Sequence, residues 1–247
     1  MTLHRFYFPS LTQNQKIISI FDNDELHHLF HVLCFKKNDD LIVFNGQGLE
    51  ALGTIQAISK KSAQIRLQNF SNHQRLKPSL VLACAIPKKS KFETIIEKCT
   101  ELGADEIIPL KTIRTEMSGS AENLKHKHER YQEVAINACK QSQRSFLPKI
   151  HPVMILDAMF AMITADDLSL IGSLHQNRKP LASLSLNQLR KTQRIYILIG
   201  PEGDFTDEEM HLALSKGSLP VSLGPQVLKV ETAAMAAISF LMLSLRS

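Results

Sequence analysis

No apolar run in this sequence is long enough to cross a bilayer. The longest, from Ala233 to Leu243, is interrupted by Ser239 and falls short of the roughly 20 residues a membrane helix needs. The N-terminus, MTLHRFYFP, lacks the charged-then-apolar plan of a secretory signal. Cysteine is sparse: Cys34, Cys84, Cys99 and Cys139 lie far apart with no C-x-x-C pair, which excludes a thioredoxin-type motif and a cysteine-built zinc site. Such thiols read as reduced core residues. There is no internal repeat and no low-complexity tract, so solenoid and fibrous architectures are set aside. The expectation is a cytoplasmic protein without membrane contact.

What is present describes an ordinary globular chain. At 247 residues, with 44% apolar and 21% charged content, it can build one large domain or two small ones. Lys and Arg total 29 against 24 acidic residues, a formal charge of +5 that leans toward polyanionic partners but decides little alone.

The texture changes once along the chain. Up to about Phe70, short alternating runs (LIVF at 41–44, LEALGTIQAI, SAQIRLQNF) are separated by the turn Asn45-Gly46-Gln47-Gly48 and by Lys60-Lys61. Period-two patterning with glycine turns predicts a small antiparallel sheet or barrel. The polar segment SNHQRLKP, 71–78, marks a domain boundary. Beyond it a strand at 80–86 leads into a helix with apolar residues Phe92, Ile95, Ile96, Cys99 and Leu102, stopped by Gly103, and then a strand at 106–110. This alternation predicts an α/β domain with a parallel sheet covered by helices. A second helix is expected over 121–143, and further strands near Val153 and at 168–174, 194–199 and 219–223.

Two glycine-bearing turns follow strands near the carboxyl end. In RIYILIGPEGDFTDEEM, Gly200 and Gly203 flank Pro201-Glu202, and Thr206 with Glu209 has capping-box spacing ahead of a helix that Gly217 would close. In LGPQVLKVETAAMAAI, Leu223-Gly224-Pro225 closes a strand before an apolar helix. A strand, a glycine turn and a helix N-terminus at the carboxyl edge of a parallel sheet are a usual ligand site, although tight-turn geometry alone also asks for glycine. The apolar last helix is expected to be buried in the fold or between subunits. Lys88, Lys89 and Lys91, with Arg114, Arg130 and Arg144, form either a track for a phosphate backbone or a solvated surface. His27, His28 and His31 include an H-x-x-H pair, but no further ligand has matching spacing and no metal is expected. His175 falls in a loop, GSLHQNRKP, beside the two turns.

Taken in order, HHLFHVL, FNGQG, KKSKFETIIEKCTELGADEIIPLKTIR, ACKQSQRSFLPKI, SLH, IGPEGDF and LGPQVLKVETAA resemble the RsmE family, the 16S ribosomal RNA uridine-N3 methyltransferases of the small subunit, over nearly the whole chain. The resemblance implies an N-terminal PUA-like RNA-binding β-barrel, residues 1–72, and a C-terminal SPOUT α/β domain, residues 75–247, with a deep trefoil knot. It implies S-adenosyl-L-methionine cradled by three loops: Leu174 and His175; Ile199, Gly200, Pro201 and Gly203; and Leu223, Gly224, Val227, Leu228 and Lys229. It further implies a homodimer through the knot region and 16S ribosomal RNA or the assembled small subunit as partner. Methylation at N3 needs a proton acceptor or a cation for charge on the uracil oxygens. Glu202 and Glu231 are the candidates for proton removal or base orientation, and Arg114 and Arg144 for phosphate or uracil oxygens. Departures from the family pattern occur at Cys34, Lys140, Asp204, Gln226, Lys229 and Val230; those at Cys34 and Gln226 remove planar arginine donors. Alternatives are a SPOUT enzyme acting elsewhere on RNA, an RNA-binding assembly factor without catalysis, and a phosphate-binding module at the turn before Thr206.

Overall fold

A computed structural model of the chain describes residues 3–21, 26, 35–59, 61–88, 91–115, 121–174 and 177–246. His27, His28, His31, Cys34, Lys89 and His175 lie outside that set. The chain divides into two compact units, one of Met1–Arg75 with Cys139–Leu147, the other of Leu76–Ala138 with Pro148–Ser247.

The first unit is a five-stranded sheet of β1 (Arg5–Tyr7), β2 (Ile17–Ile20), β3 (Asp40–Phe44), β4 (Leu49–Ser59) and β5 (Ser62–Asn72), in the order β1-β3-β4-β5-β2. Alternation puts Ala63, Ile65 and Leu67 of β5 inside and leaves Gln64, Arg66 and Gln68 in water. With Leu41, Val43 and Ile55 they form one apolar core. The turn between β3 and β4 forms because the Asn45 side chain accepts the amides of Gln47 and Leu49 at 2.8 and 3.2 Å. Gly48 is needed there: at φ +102° a Cβ would lie 2.6 Å from the Phe146 ring and 2.7 Å from the His73 carbonyl. The predicted antiparallel sheet is corrected in one respect. β1 runs parallel to β3, so the sheet is mixed, and β1 and β2 are too short for alternation to have revealed them. The segment Cys139–Leu147 belongs to this unit; its Ser145 hydroxyl donates to Glu50 at 2.6 Å, beside Arg5 at 2.9 Å.

The second unit contains, in chain order, β6 (Ser79–Ala85), α1 (Lys91–Glu101), β7 (Glu106–Leu110), α2 (Ala121–Gln141, its last turn lying in the first unit), β8 (Lys149–Ile150), α3 (Leu156–Phe160), β9 (Leu168–Gly172), β10 (Lys179–Pro180), α4 (Leu186–Arg190), β11 (Arg194–Ile199), α5 (Asp207–Ser215), β12 (Leu219–Ser222) and α6 (Val230–Arg246). Seven strands make a parallel sheet in the order β10-β12-β9-β11-β6-β7-β8. β6 and β11 are buried along almost their whole length, the mark of strands covered on both faces. Helix α1 buries Phe92, Ile95, Ile96 and Cys99, the predicted stripe. Helix α6 packs against α1, β6 and β11, burying Ala234, Ala237, Ile238 and Leu241 while leaving Leu243 exposed.

The strand expected near Val153 is present only as the short β8, with a further bridge from Met154 to Leu110; Pro152 between them has no amide to give a ladder. The strand expected to reach Leu174 ends at Gly172, since the Leu174 amide is taken by a side chain from the neighbouring turn.

Candidate active site

Strands β12, β9 and β11 are neighbours and point the same way, so the loops that follow them emerge side by side at one edge of the sheet. They enclose a cavity of about 360 Å³, lined by residues 172–174 and 178 after β9, 199–204 after β11, and 221–230 after β12, with Ala233 of α6. That volume lies within the roughly 300–1,000 Å³ range of small-molecule sites. Leu174, Ile199, Gly200, Pro201, Glu202, Gly203, Leu223, Gly224, Val227, Leu228 and Lys229, all singled out by sequence, line this one space. His175 lies outside the described residues.

The turn after β11 has a local cause. The Asp204 amide donates to the Pro201 carbonyl at 3.0 Å, and Gly203 and Asp204 take φ of +95° and +67°. The chain then enters α5 through the capping box read from the sequence: Glu209 N–H donates to Thr206 Oγ1 at 3.3 Å, and Thr206 N–H to Glu209 Oε2 at 3.0 Å. The other Glu209 oxygen accepts the Ile113 amide at 2.8 Å. This docks the Lys111–Thr115 loop on α5 and brings Arg114 to the turn, where its guanidinium donates to the carbonyls of Gly203 and, at 3.1 Å, Asp204.

Of the four proposed catalytic side chains, Glu202 lines the cavity. Glu202 is exposed at the cavity rim, and its Oε1 accepts the Lys88 amide at 3.3 Å. Glu231 is not among the residues lining the cavity. At the start of α6, its own backbone N–H and the Lys91 ammonium, 2.9 Å away, hold its carboxyl below the ordinary range, which weakens it as a base. Arg114 bonds the carbonyls of the turn and is not among the residues lining the cavity, and Arg144 belongs to the first unit. Burial pushes the Cys84 thiol, at the end of β6, well above its usual value, with Cys99 and the carboxylates of Glu202 and Glu231 adding to the effect; burial lifts Cys99 to about 12. Neither offers a thiolate at neutral pH. Among the described residues no group of three or more His, Cys, Asp or Glu is placed to hold a metal.

Sequence reasoning missed several participants. Arg178 lines the cavity and donates to the Leu174 carbonyl; its position in GSLHQNRKP, shortly after a strand, was the available signal. Asp204, read only as a departure, ties two loops together. Lys88 and Lys91, read as part of a phosphate track or a solvated surface, hold the two carboxylates, Lys88 by its backbone amide and Lys91 by its ammonium.

Comparison with known proteins agrees with this geometry. A family profile for an RNA methyltransferase domain matches residues 74–242, and one for an RNA methyltransferase PUA domain matches residues 21–68. The ribosomal RNA small subunit methyltransferase E of Synechocystis is 33% identical over 87% of this chain and 69% of its own length. That of Bacillus subtilis is 30% identical over 94% of each. A protein of Legionella pneumophila, solved with the cofactor SAM bound, superposes with a TM-score of 0.88 at 30% identity, covering 99% of this chain and 98% of that one. The chain belongs to the ribosomal RNA small subunit methyltransferase E family.

Within this family member, the departures fall unevenly on the site. Asp204, Gln226, Lys229 and Val230 line the cavity, while Lys140 lies in the first unit, its ammonium 5.8 Å from the Phe6 ring centroid. The cavity combines glycine turns with an apolar wall from Leu174, Ile199, Val227 and Leu228.

Proposed function

We propose that this chain methylates N3 of a uridine in the 16S ribosomal RNA of the small subunit, with S-adenosyl-L-methionine as the donor bound in the three-loop cavity. Family membership supplies the reaction class, methyl transfer to small-subunit ribosomal RNA. The observation that carries the site is the meeting of the loops after β9, β11 and β12 around one small cavity.

The residues present fit such a donor. Gly224, with no atom within 4 Å of where a Cβ would sit, lets backbone approach a ligand closely, while Gly200 leaves room for the Phe205 ring beneath the turn. Leu174, Ile199, Val227 and Leu228 suit the faces of an adenosine, and Arg178, Glu202 and Lys229 supply charges of both signs for a zwitterionic amino acid. The bound sulfonium supplies a methyl group already activated for transfer. The chain's own work is then to orient, to exclude water and to manage one proton. Glu202, at the rim, is the carboxylate available to accept the imide proton. Glu231, held low by its backbone and Lys91, anchors the start of α1 against α6. Arg114 is fixed by carbonyls of the cavity turn, ready for uracil or phosphate oxygens, and Arg144 would meet phosphate from the first unit. Because N3 is hidden in a Watson–Crick pair, the target nucleotide must be unpaired or extruded.

The same reading includes a PUA-like RNA-binding barrel over 1–72, a SPOUT domain over 75–247, a trefoil knot, a homodimer through the knot and a cytoplasmic location. The PUA profile supports the first. Insertion of β12 between β9 and β10, followed by return of α6 to α1 and β6, supports the knot. Exposed Leu243, with half-buried Ala236 and Phe240 on the same face of α6, supports the dimer. No described helix is long and apolar enough to cross a membrane.

The test is methyl transfer from labelled S-adenosylmethionine to small-subunit particles or their RNA, followed by digestion to nucleosides. Label in 3-methyluridine at one position is expected. Label in a ribose or another base contradicts the N3 assignment, and donor binding without transfer to any RNA indicates an assembly factor.

A further inference from the structure

Asp204 holds a backbone conformation that glycine adopts more easily. Its φ of +67° lies in the left-handed region, directly after Gly203 at +95°, and a Cβ there is disfavoured. Its side chain makes two contacts. One carboxylate oxygen accepts the Phe205 amide at 2.9 Å, which steadies the turn. The other accepts the Leu174 amide, also at 2.9 Å, across to the loop after β9. The Leu174 carbonyl is in turn bonded by Arg178, and Leu174 and Arg178 both line the cavity. On the far side, Arg114 holds the Gly203 and Asp204 carbonyls.

We infer that Asp204 is a positioning residue for donor binding: its carboxylate latches the loop after β9 to the turn after β11 and so fixes Leu174 and Arg178 along one wall of the cavity. This rests on the cavity being the S-adenosylmethionine site. A hydrogen bond to a charged acceptor in a partly enclosed site is stronger than a neutral one. A loop fixed before binding need not be ordered by the ligand, so the latch acts on affinity. The backbone strain at position 204 is a stability cost retained alongside that gain.

The consequence is a split between stability and binding that a purely structural residue would not give. Asp204→Gly relaxes the backbone while removing the latch, so its melting temperature equals or exceeds that of the wild type while its Kd for S-adenosylmethionine rises about tenfold. Asp204→Asn tolerates the left-handed conformation but keeps one uncharged oxygen acceptor for two amides, so its affinity falls between those of the wild type and the Gly variant.

The experiment combines calorimetric titration with S-adenosylmethionine, thermal unfolding, and amide hydrogen exchange at Leu174 in the ligand-free protein, for wild type and both variants. Expected are protection of the Leu174 amide in the wild type, partial protection in the Asn variant, its loss in the Gly variant, and the affinity order just given. Equal Leu174 exchange or equal affinity in wild type and Gly variant overturns the latch. So does an Asn variant that binds more weakly than the Gly variant, since the remaining acceptor would then give no latch. A wild type that protects Leu174 but binds no S-adenosylmethionine overturns the assignment of the cavity, and the inference about donor binding with it.

Discussion

The carboxylate of Glu106 is bonded by His151 at 2.6 Å, and that bond, with the charges of His151, Lys149 and Arg194, outweighs burial and holds its pKa below the ordinary value. A depressed carboxyl contributes stability that is present above the unfolded value and is lost as pH falls through the folded one. Acid should therefore weaken the second unit, and Glu106→Gln should flatten stability against pH below the ordinary glutamate range of about 4.3, measured by urea unfolding at a series of pH values. Unchanged acid sensitivity in the variant would contradict this. Glu231 is held low by its backbone and Lys91, which weakens it as a candidate base; the rim residue Glu202 accepts the Lys88 amide. At this scale the sequence was legible where chemistry is local. Gly203 and Gly224 stood out as turn residues, and both adopt positive φ. Asp204 was not legible, because its partner Leu174 is 30 residues away, and nothing in a single sequence records which strands lie side by side.

Helix α5 is the element whose boundaries were read most closely. Thr206 caps it, Glu209 completes the box, and Gly217 follows its end at φ +83°. Glu209 also carries the Ile113 amide of a loop 96 residues earlier, a second task that capping-box spacing does not announce. Removing the cap alone, Thr206→Ala, should cost about 1 kcal/mol of stability. Glu209→Ala should cost more, since the carboxylate is only 7% exposed and its loss leaves the Ile113 amide unpaired, adding roughly 1–3 kcal/mol. Denaturant unfolding of both variants checks the order; equal losses would mean that the link to Ile113 contributes nothing. Elements failed to announce themselves where they were short. β1, β2 and β10 have three, four and two residues, fewer than a period-two pattern needs, and Cys139–Leu147 contributes to the first unit through contacts distant in sequence.

At the scale of the molecule, the alternation of apolar strands and amphipathic helices was enough to predict a parallel α/β unit after a small β unit. It was not enough to give the strand order, because β12, late in the chain, pairs with β9 between β10 and β11. That order converts two separate glycine motifs into walls of one cavity. The role proposed for the whole chain depends on the methyl donor occupying that cavity, and Gly224 offers the cleanest way to ask. Its φ is +136° with no atom within 4 Å of where a Cβ would sit, so a branched side chain strains the loop backbone without colliding with the core. The decisive measurement is calorimetric titration of S-adenosylmethionine into wild type and Gly224→Val, both confirmed as folded. Saturable one-site binding by the wild type and a loss of at least about tenfold in the variant, equal to about 1.4 kcal/mol, is the predicted result; equal affinity in the two proteins would place the donor elsewhere.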